Sequence, residues 1–296
     1  MTLRDEFKAF LEDARISQNK AAELAGYSGA VVSVWLHGDY KGNNEALENA
    51  VRSFMIRERS RRSQPVIAFQ ETDNSRRIIN ALLMTHREQE IALVVGPVGT
   101  GKTITFEHYA EQNPTAVILI KADEAMSKVI LIGKIAERLG LDPRDSYADL
   151  VQRTGDTLQN RDMLVIVDEA DNLSDGALEL LRQVVYDKGR SSLVIAGLHR
   201  LIFRIKNLKN NHQQLASRVG VFLELGALTA RDAEKIVCSV WPNLGKETMD
   251  AFIRAAGGSG RALRKLVNRS HETTVANNVS VPDPDVVKLA ESLLLK

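Results

Sequence analysis

Residues Gly96-Pro97-Val98-Gly99-Thr100-Gly101-Lys102-Thr103 follow the pattern G-x-x-x-x-G-K-[S/T], directly after the apolar run Ile91–Val95 and ahead of a helical segment. This stretch constrains the fold more than any other in the chain. A buried strand must enter, a glycine-rich loop must turn, and a helix must leave with its first amides facing the loop. The chemistry of such a loop is phosphate binding. Glycines at 96, 99 and 101 let the backbone close on phosphate oxygens, Lys102 reaches the β- and γ-phosphates, and Thr103 offers its hydroxyl to Mg²⁺.

Four more short apolar runs rich in Val and Ile follow the same rule: Ala116–Ile120, Met163–Val167, Leu193–Ala196 and Val221–Leu225. Strands buried on both faces read this way, and the longer mixed segments between them predict helical crossovers. A five-stranded, doubly wound parallel α/β sheet is expected. The run Met163–Val167 ends in Asp168-Glu169-Ala170-Asp171, which delivers carboxylates to the sheet edge where open α/β sheets bind ligands. Asp168 is the expected Mg²⁺ ligand beside Thr103, and Glu169 the group that orients and partly deprotonates an attacking water. A guanine site would carry Asn- or Thr-Lys-x-Asp after this strand. The nearest match, Ile120-Lys121-Ala122-Asp123, lacks the Asn and precedes it, so the expected nucleotide is ATP.

The flanks are helical. Upstream, Phe7, Phe10, Leu11 and Ala14 fall at i, i+3, i+4 and i+7, one buried helix face. The segment from Ser17 to Leu36 reads as two short helices joined at Gly26-Tyr27, the second capped by Ser28. Arg52, Arg57, Arg59, Arg61 and Arg62 face one Glu58 before Ser63-Gln64-Pro65 breaks the pattern. Downstream, Thr229-x-x-Asp232 opens a series of helices near 230–240, 247–256, 260–277 and 283–295.

Composition adds exclusions. The chain has 296 residues, 44% hydrophobic and 26% charged, with a net charge of +1, so any contact with nucleic acid must come from local clusters. No apolar run approaches the roughly twenty residues of a membrane span. Cys238 is the only cysteine, which rules out intrachain disulfides and cysteine-rich zinc modules. With a charged N-terminus, a cytoplasmic location is expected, that of the host cell if the chain is phage-encoded.

From about 75 to 295 the chain resembles the AAA+ ATPases, whose pattern is a phosphate loop, an Asp-Glu strand, a polar sensor after the fourth strand, a trans-acting arginine and a lid arginine. In Leu193-Val194-Ile195-Ala196-Gly197-Leu198-His199, Leu198 stands where the family places Asn, Thr or Ser, and His199 is the candidate substitute. Gln214-Leu215-Ala216-Ser217-Arg218-Val219 resembles the arginine-finger segment. Arg218 is thereby implied to reach a neighbouring subunit's γ-phosphate, which would complete the site only in an oligomer. Gly258-Ser259-Gly260-Arg261-Ala262-Leu263-Arg264 is similar to the second sensor, with Arg261 preferred and Arg264 the runner-up.

Ser17–Leu36 resembles a phage-repressor helix-turn-helix, whose second helix enters the major groove. Its candidate groove-facing residues, Ser28, Gly29, Ala30 and Ser33, are small and uncharged, so weak or sequence-blind DNA contact is expected, assisted by Lys20, Lys41, Arg57, Arg59, Arg61 and Arg62. The whole arrangement, including Gly38-Asp39-Tyr40-Lys41-Gly42-Asn43 and Asp168-Glu169-Ala170-Asp171, resembles the transposition B proteins of phage Mu and its prophage relatives. That resemblance implies an ATP-dependent helical filament on double-stranded DNA, recruitment and stimulation of a DDE transposase, and hydrolysis stimulated in return. It also suggests Lys121, Lys128, Lys134 and Arg153 as further DNA contacts. The expected division is a helix-turn-helix domain at 1–58, a basic linker at 59–75, an AAA+ core at 76–226 and a helical lid at 227–296. An ATP-gated transcription regulator and a helicase or clamp loader are the rival readings.

Overall fold

A computed structural model describes residues 2–65, 67–207 and 213–294. The last residue of the expected helix at 283–295 lies outside the described residues. By internal contacts the chain forms two compact units, Met1–Val66 with His271–Ser280, and Ile67–Ser270 with Val281–Lys296.

The first unit begins with four helices: α1 (Leu3–Ala14), α2 (Gln18–Leu24), α3 (Gly29–His37) and α4 (Asn44–Ser63). Each start is fixed by a side-chain cap. Thr2 and Asp5 form a reciprocal capping box, and the side chains of Ser17, Ser28 and Asn43 each accept from a first-turn amide. α1 and α3 stop at Arg15 and Gly38 in the left-handed conformation. The core is aromatic: Phe7 meets Trp35 and Phe54 edge-on at 6.0 and 6.3 Å, and Phe10 meets Phe54 at 5.9 Å. Each such pair contributes ~0.5–1.5 kcal/mol beyond its buried area. A Cβ at Gly29 would lie 2.2 Å from Asn19 Oδ1, so glycine there permits the close approach of α2 and α3. α4 runs to Ser63, past the expected start of the linker at 59, because Glu58 pairs with Arg61 and Arg62 one turn on and sustains the helix.

The second unit is a three-layer α/β core with a helical lid. Helix α5 (Asp73–Glu88) leads into β1 (Ile91–Val95), α6 (Lys102–Gln112), β2 (Val117–Lys121), α7 (Lys128–Arg138) and α8 (Tyr147–Gln159). Then come β3 (Leu164–Asp168), α9 (Asp175–Leu181) with a π-helical continuation at Arg182–Lys188, β4 (Ser192–Gly197), α10 (Arg200–Asn207), α11 (Gln213–Ala216) and β5 (Val219–Glu224). The lid is α12 (Ala230–Cys238), α13 (Lys246–Ala256), α14 (Gly260–Ala276) and α15 (Pro284–Ser292); the last six residues of α14 belong by contacts to the first unit.

All five strands are parallel, in the order β2-β3-β4-β1-β5, each within two residues of an expected run. Successive side chains alternate faces. Leu93, Val95, Val165, Val167 and Ile195 go to the layer of α7 and α9, whereas Ala92, Val94, Leu164, Ile166 and Val194 meet Ile78 and Leu82 of α5 and Phe106 of α6. That double burial is why these strands are continuous apolar runs. The chain leaves β1 toward β2 on one side and reaches β5 on the other, so the sheet's switch point lies at the C-terminal end of β1, where a ligand crevice opens.

Candidate nucleotide site

The loop Gly96–Lys102 occupies that crevice between β1 and α6. Gly99 and Gly101 have φ of 85° and 93°, a region an L side chain enters only with strain. Gly96 has no room for a side chain, since a Cβ would lie 2.8 Å from Leu225 Cβ. Lys102, 9% exposed, folds back and donates from Nζ to the carbonyls of Gly96 (2.7 Å) and Pro97 (3.0 Å). Burial pulls its ammonium below the ordinary lysine value, and the carboxylates of Asp168 and Asp171 oppose that pull. These carbonyls accept its N–H groups, and a bound anion would favour its charged form.

Asp168 is 2% exposed at the end of β3. Its Oδ2 accepts from Thr103 Oγ1 at 2.5 Å and its Oδ1 from the Glu169 amide at 2.9 Å. Burial raises its pKa above the usual carboxylate value, while the Thr103 hydroxyl and the Glu169 amide work the other way. Glu169 itself sits at φ 55°, a non-glycine residue in the left-handed region, and its Oε1 lies 3.3 Å from Lys121 Nζ. Strain of this kind persists only where the surroundings impose it.

These groups line part of a cavity of about 480 Å³. The lining also has an apolar part, Ile67, Ala68 and Phe69 ahead of α5 with Leu228 and Ile236 of the lid; Phe69 stacks on His108 at 3.8 Å and 11°. Arg261 and Arg264 both enter the lining, and Gly260 N donates to Gly99 O at 2.8 Å, tying α14 to the phosphate loop. The polar lining suits a triphosphate and the apolar lining a base. Residues 67–70 lie within the region expected to be a basic linker; the run Ile67-Ala68-Phe69 was the available signal that part of it is wall.

His199 departs from its expected place. Asp171 accepts from the Leu198 amide (3.2 Å) and from Arg200 Nε (2.7 Å), which turns Leu198 and Arg200 to the cavity. His199 lies outside the lining and pairs instead with Glu224 of β5 at 2.9 Å. Arg200 and Asp171 are thus site residues beyond those the sequence motifs mark as ligand-facing. Arg218, just before β5, is also outside its own cavity and is ion-paired with Asp187.

The candidate DNA contacts are mostly occupied. Lys121 holds Glu169, Arg153 pairs with Asp145, and Lys20 pairs with Glu23. Arg59 bonds Glu6 and covers the Phe10 ring, and Arg62 caps α1 by donating to the Ala14 carbonyl, so both tie α4 to α1. Arg61 shares Glu58 with Arg62. Ser28 Oγ is spent on the α3 cap and Ser33 is partly buried. Lys41, Arg57, Lys128 and Lys134 are exposed. The basic charge of 52–62 is therefore partly structural.

The AAA domain family matches residues 85–205. The DNA transposition protein B of the Mu-like prophage FluMu of Haemophilus influenzae is 29% identical over 225 residues, 74% of this chain and 78% of that protein. The ATP-dependent target DNA activator B of Escherichia phage Mu is 24% identical over 268 residues, 89% of this chain and 85% of that one, so the match takes in part of the N-terminal helices as well as the core. Among solved structures, the Aeropyrum pernix ORC2 protein in its ADPNP–ADP complexes superposes with a TM-score of 0.56 at 19% identity, over 75% of this chain and 67% of that one. The Thermotoga maritima RuvB Holliday junction branch migration motor gives 0.53 at 18%, over 78% and 73%. Sheet order, phosphate loop and lid place the chain in the same fold. The chain carries a AAA ATPase domain and is similar to the B proteins of Mu-type transposition.

Proposed function

We propose that this chain is the ATP-dependent target-DNA activator of a transposition system: it binds double-stranded DNA without sequence preference when loaded with ATP, assembles on it, and recruits and activates a DDE transposase. The observation that carries this reading is the long match to three transposition B proteins, two of them named for ATP-dependent target-DNA activation. The site chemistry agrees with it. Lys102 and the loop amides would hold the β- and γ-phosphates, and Ile67–Phe69 with Leu228 and Ile236 would enclose the base.

Thr103 and Asp168 fit Mg²⁺, because a hydroxyl and a carboxylate meet at 2.5 Å, both hard oxygen donors. Among the described residues no group of three or more His, Cys, Asp or Glu side chains could hold a metal, which matches an ion that shares its ligands with phosphate and water. Bound there, Mg²⁺ would neutralise charge on the phosphate oxygens. Glu169 accepts the proton of the attacking water, provided that Lys121 releases it. Arg261, Arg264 and Arg200 reach the cavity from the lid and the β4–α10 turn, and Arg218 acts on a neighbour's γ-phosphate, so that assembly and hydrolysis are coupled. The helix-turn-helix of the first unit, with Lys41 and Arg57, and Lys128 of the core supply the DNA-facing charge. The exposed face of α3, with Ala30 and Val34, lacks groups for bidentate base contacts, which favours sequence-blind binding over an operator-reading regulator.

The test is binding to random-sequence duplex DNA with ATP, ADP or no nucleotide across a salt series. Cooperative binding with ATP alone, weakening steeply with salt, is expected. Nucleotide-independent binding to one specific sequence would replace this function with the regulator.

A further inference from the structure

The π-helical segment Arg182–Lys188 carries a charge relay that the nucleotide site does not use. Departures from α-helical pairing of this kind are frequent at functional sites. The Arg182 side chain is only 6% exposed, rare for arginine, and is held on both sides: Nη2 meets Glu179 at 2.5 Å and Nη1 pairs with Asp187 Oδ2. The other carboxylate oxygen of Asp187, Oδ1, takes Nη1 of Arg218. Asp187 is therefore anchored by a buried cation and presents its second oxygen to a partly exposed one. One carboxylate oxygen satisfies only part of a guanidinium that carries five N–H donors, so the contact fixes the direction of Arg218 without consuming it.

We propose that Asp187 is the positioning residue for Arg218, orienting its guanidinium toward the γ-phosphate held by the adjoining protomer. The inference rests on the reading of Arg218 as a trans-acting finger. Asp187 steers rather than sequesters. One of its oxygens is already held by Arg182, and an ion pair whose side chains are 39% and 31% exposed is weak enough for a phosphate to displace. Pre-orienting a long side chain before assembly removes an entropic cost otherwise met at each interface.

The experiment is a subunit-mixing ATPase assay. Arg218→Ala keeps an intact nucleotide site and lacks the finger, whereas Lys102→Ala lacks the site and keeps the finger. The mixture regains turnover when the finger acts in trans. Asp187→Asn is then placed in one partner at a time. In the Lys102→Ala partner it should lower the mixed-assembly kcat by about two- to tenfold with KM for ATP unchanged, the effect expected of one flexible side chain losing its orientation. In the Arg218→Ala partner it should change nothing. Should Asp187→Asn melt early, Asp187→Glu, which keeps the charge and displaces it by one methylene, carries the same test. No turnover in the parental mixture overturns the finger and this inference with it. Recovered turnover that Asp187 substitution leaves unchanged, or lowers equally from either partner, overturns the role of Asp187 while the finger stands.

Discussion

Asp171 closes the Asp-Glu-Ala-Asp run, and its carboxylate carries the turn between β4 and α10. The side chain is 5% exposed; Oδ1 accepts the Leu198 amide at 3.2 Å, and Oδ2 accepts Arg200 at 2.7 Å from Nε and 2.5 Å from Nη2. Asp171→Ala orphans a backbone donor in a part-buried turn, at a cost of ~1–3 kcal/mol. The Arg200 partner is 61% exposed, so losing that pair adds at most ~1 kcal/mol. A total of ~1–4 kcal/mol lowers the melting temperature of the core by roughly 2–16 °C. Because Leu198 and Arg200 line the cavity while affinity rests on the phosphate loop, kcat should fall well below the wild-type value with nucleotide affinity nearly unchanged. Asp171→Asn keeps an acceptor for Leu198 and should lose less stability than the alanine variant. Scanning calorimetry and steady-state ATPase read both quantities. An alanine variant that melts within about 1 °C of wild type would refute the view that Asp171 holds this turn.

Lys121→Ala frees Glu169 and should raise turnover without DNA by up to about fivefold, the most an exposed pair of ~1 kcal/mol supplies; a fall in that rate would count against Lys121 as a restraint. Gly99→Ala places a Cβ 2.4 Å from Ser259 Oγ at a φ of 85°, and should weaken binding of a non-hydrolysable ATP analogue roughly tenfold by calorimetry, with unchanged affinity contradicting the close fit of loop and lid. The folded-state pKa of Asp168 lies above its unfolded value, so ionisation lowers stability progressively as pH rises past the unfolded value of about 3.9 and fully once pH exceeds the raised value. Nucleotide-free Asp168→Asn should therefore melt above wild type at pH 7, with the gap closing as pH falls toward about 4; a gap constant with pH would show that burial of charge is not its origin.

The strands were legible because both faces of the sheet are covered, which leaves no polar position to interrupt Ile91–Val95 or Leu164–Val167. The phosphate loop was legible because closing a backbone on phosphate demands glycine at fixed spacing. What the sequence concealed depends on pairing across the fold. Arg59 and Arg62 read as a basic patch, yet Glu6 and the C-terminal end of α1, more than forty residues away, take them up. His199 and Arg200 are adjacent in sequence, and only the Asp171 carboxylate decides which of them meets the cavity. Phe69 ends one short apolar run after Pro65, which has no periodicity to mark it as wall.

The nucleotide state of this cavity is expected to govern residence on DNA, and Glu169→Gln tests that expectation most directly. The substitution preserves the size of the side chain and removes the carboxylate proposed to accept the proton of the attacking water. Dissociation from random-sequence duplex DNA would be timed after a competitor challenge, with ATP present, for wild type and variant alike. The expected result is a DNA-bound state of the variant outlasting that of wild type by more than about tenfold, with ADP abolishing binding in both. Equal lifetimes in ATP, in a variant shown to bind ATP and not to hydrolyse it, would contradict that expectation.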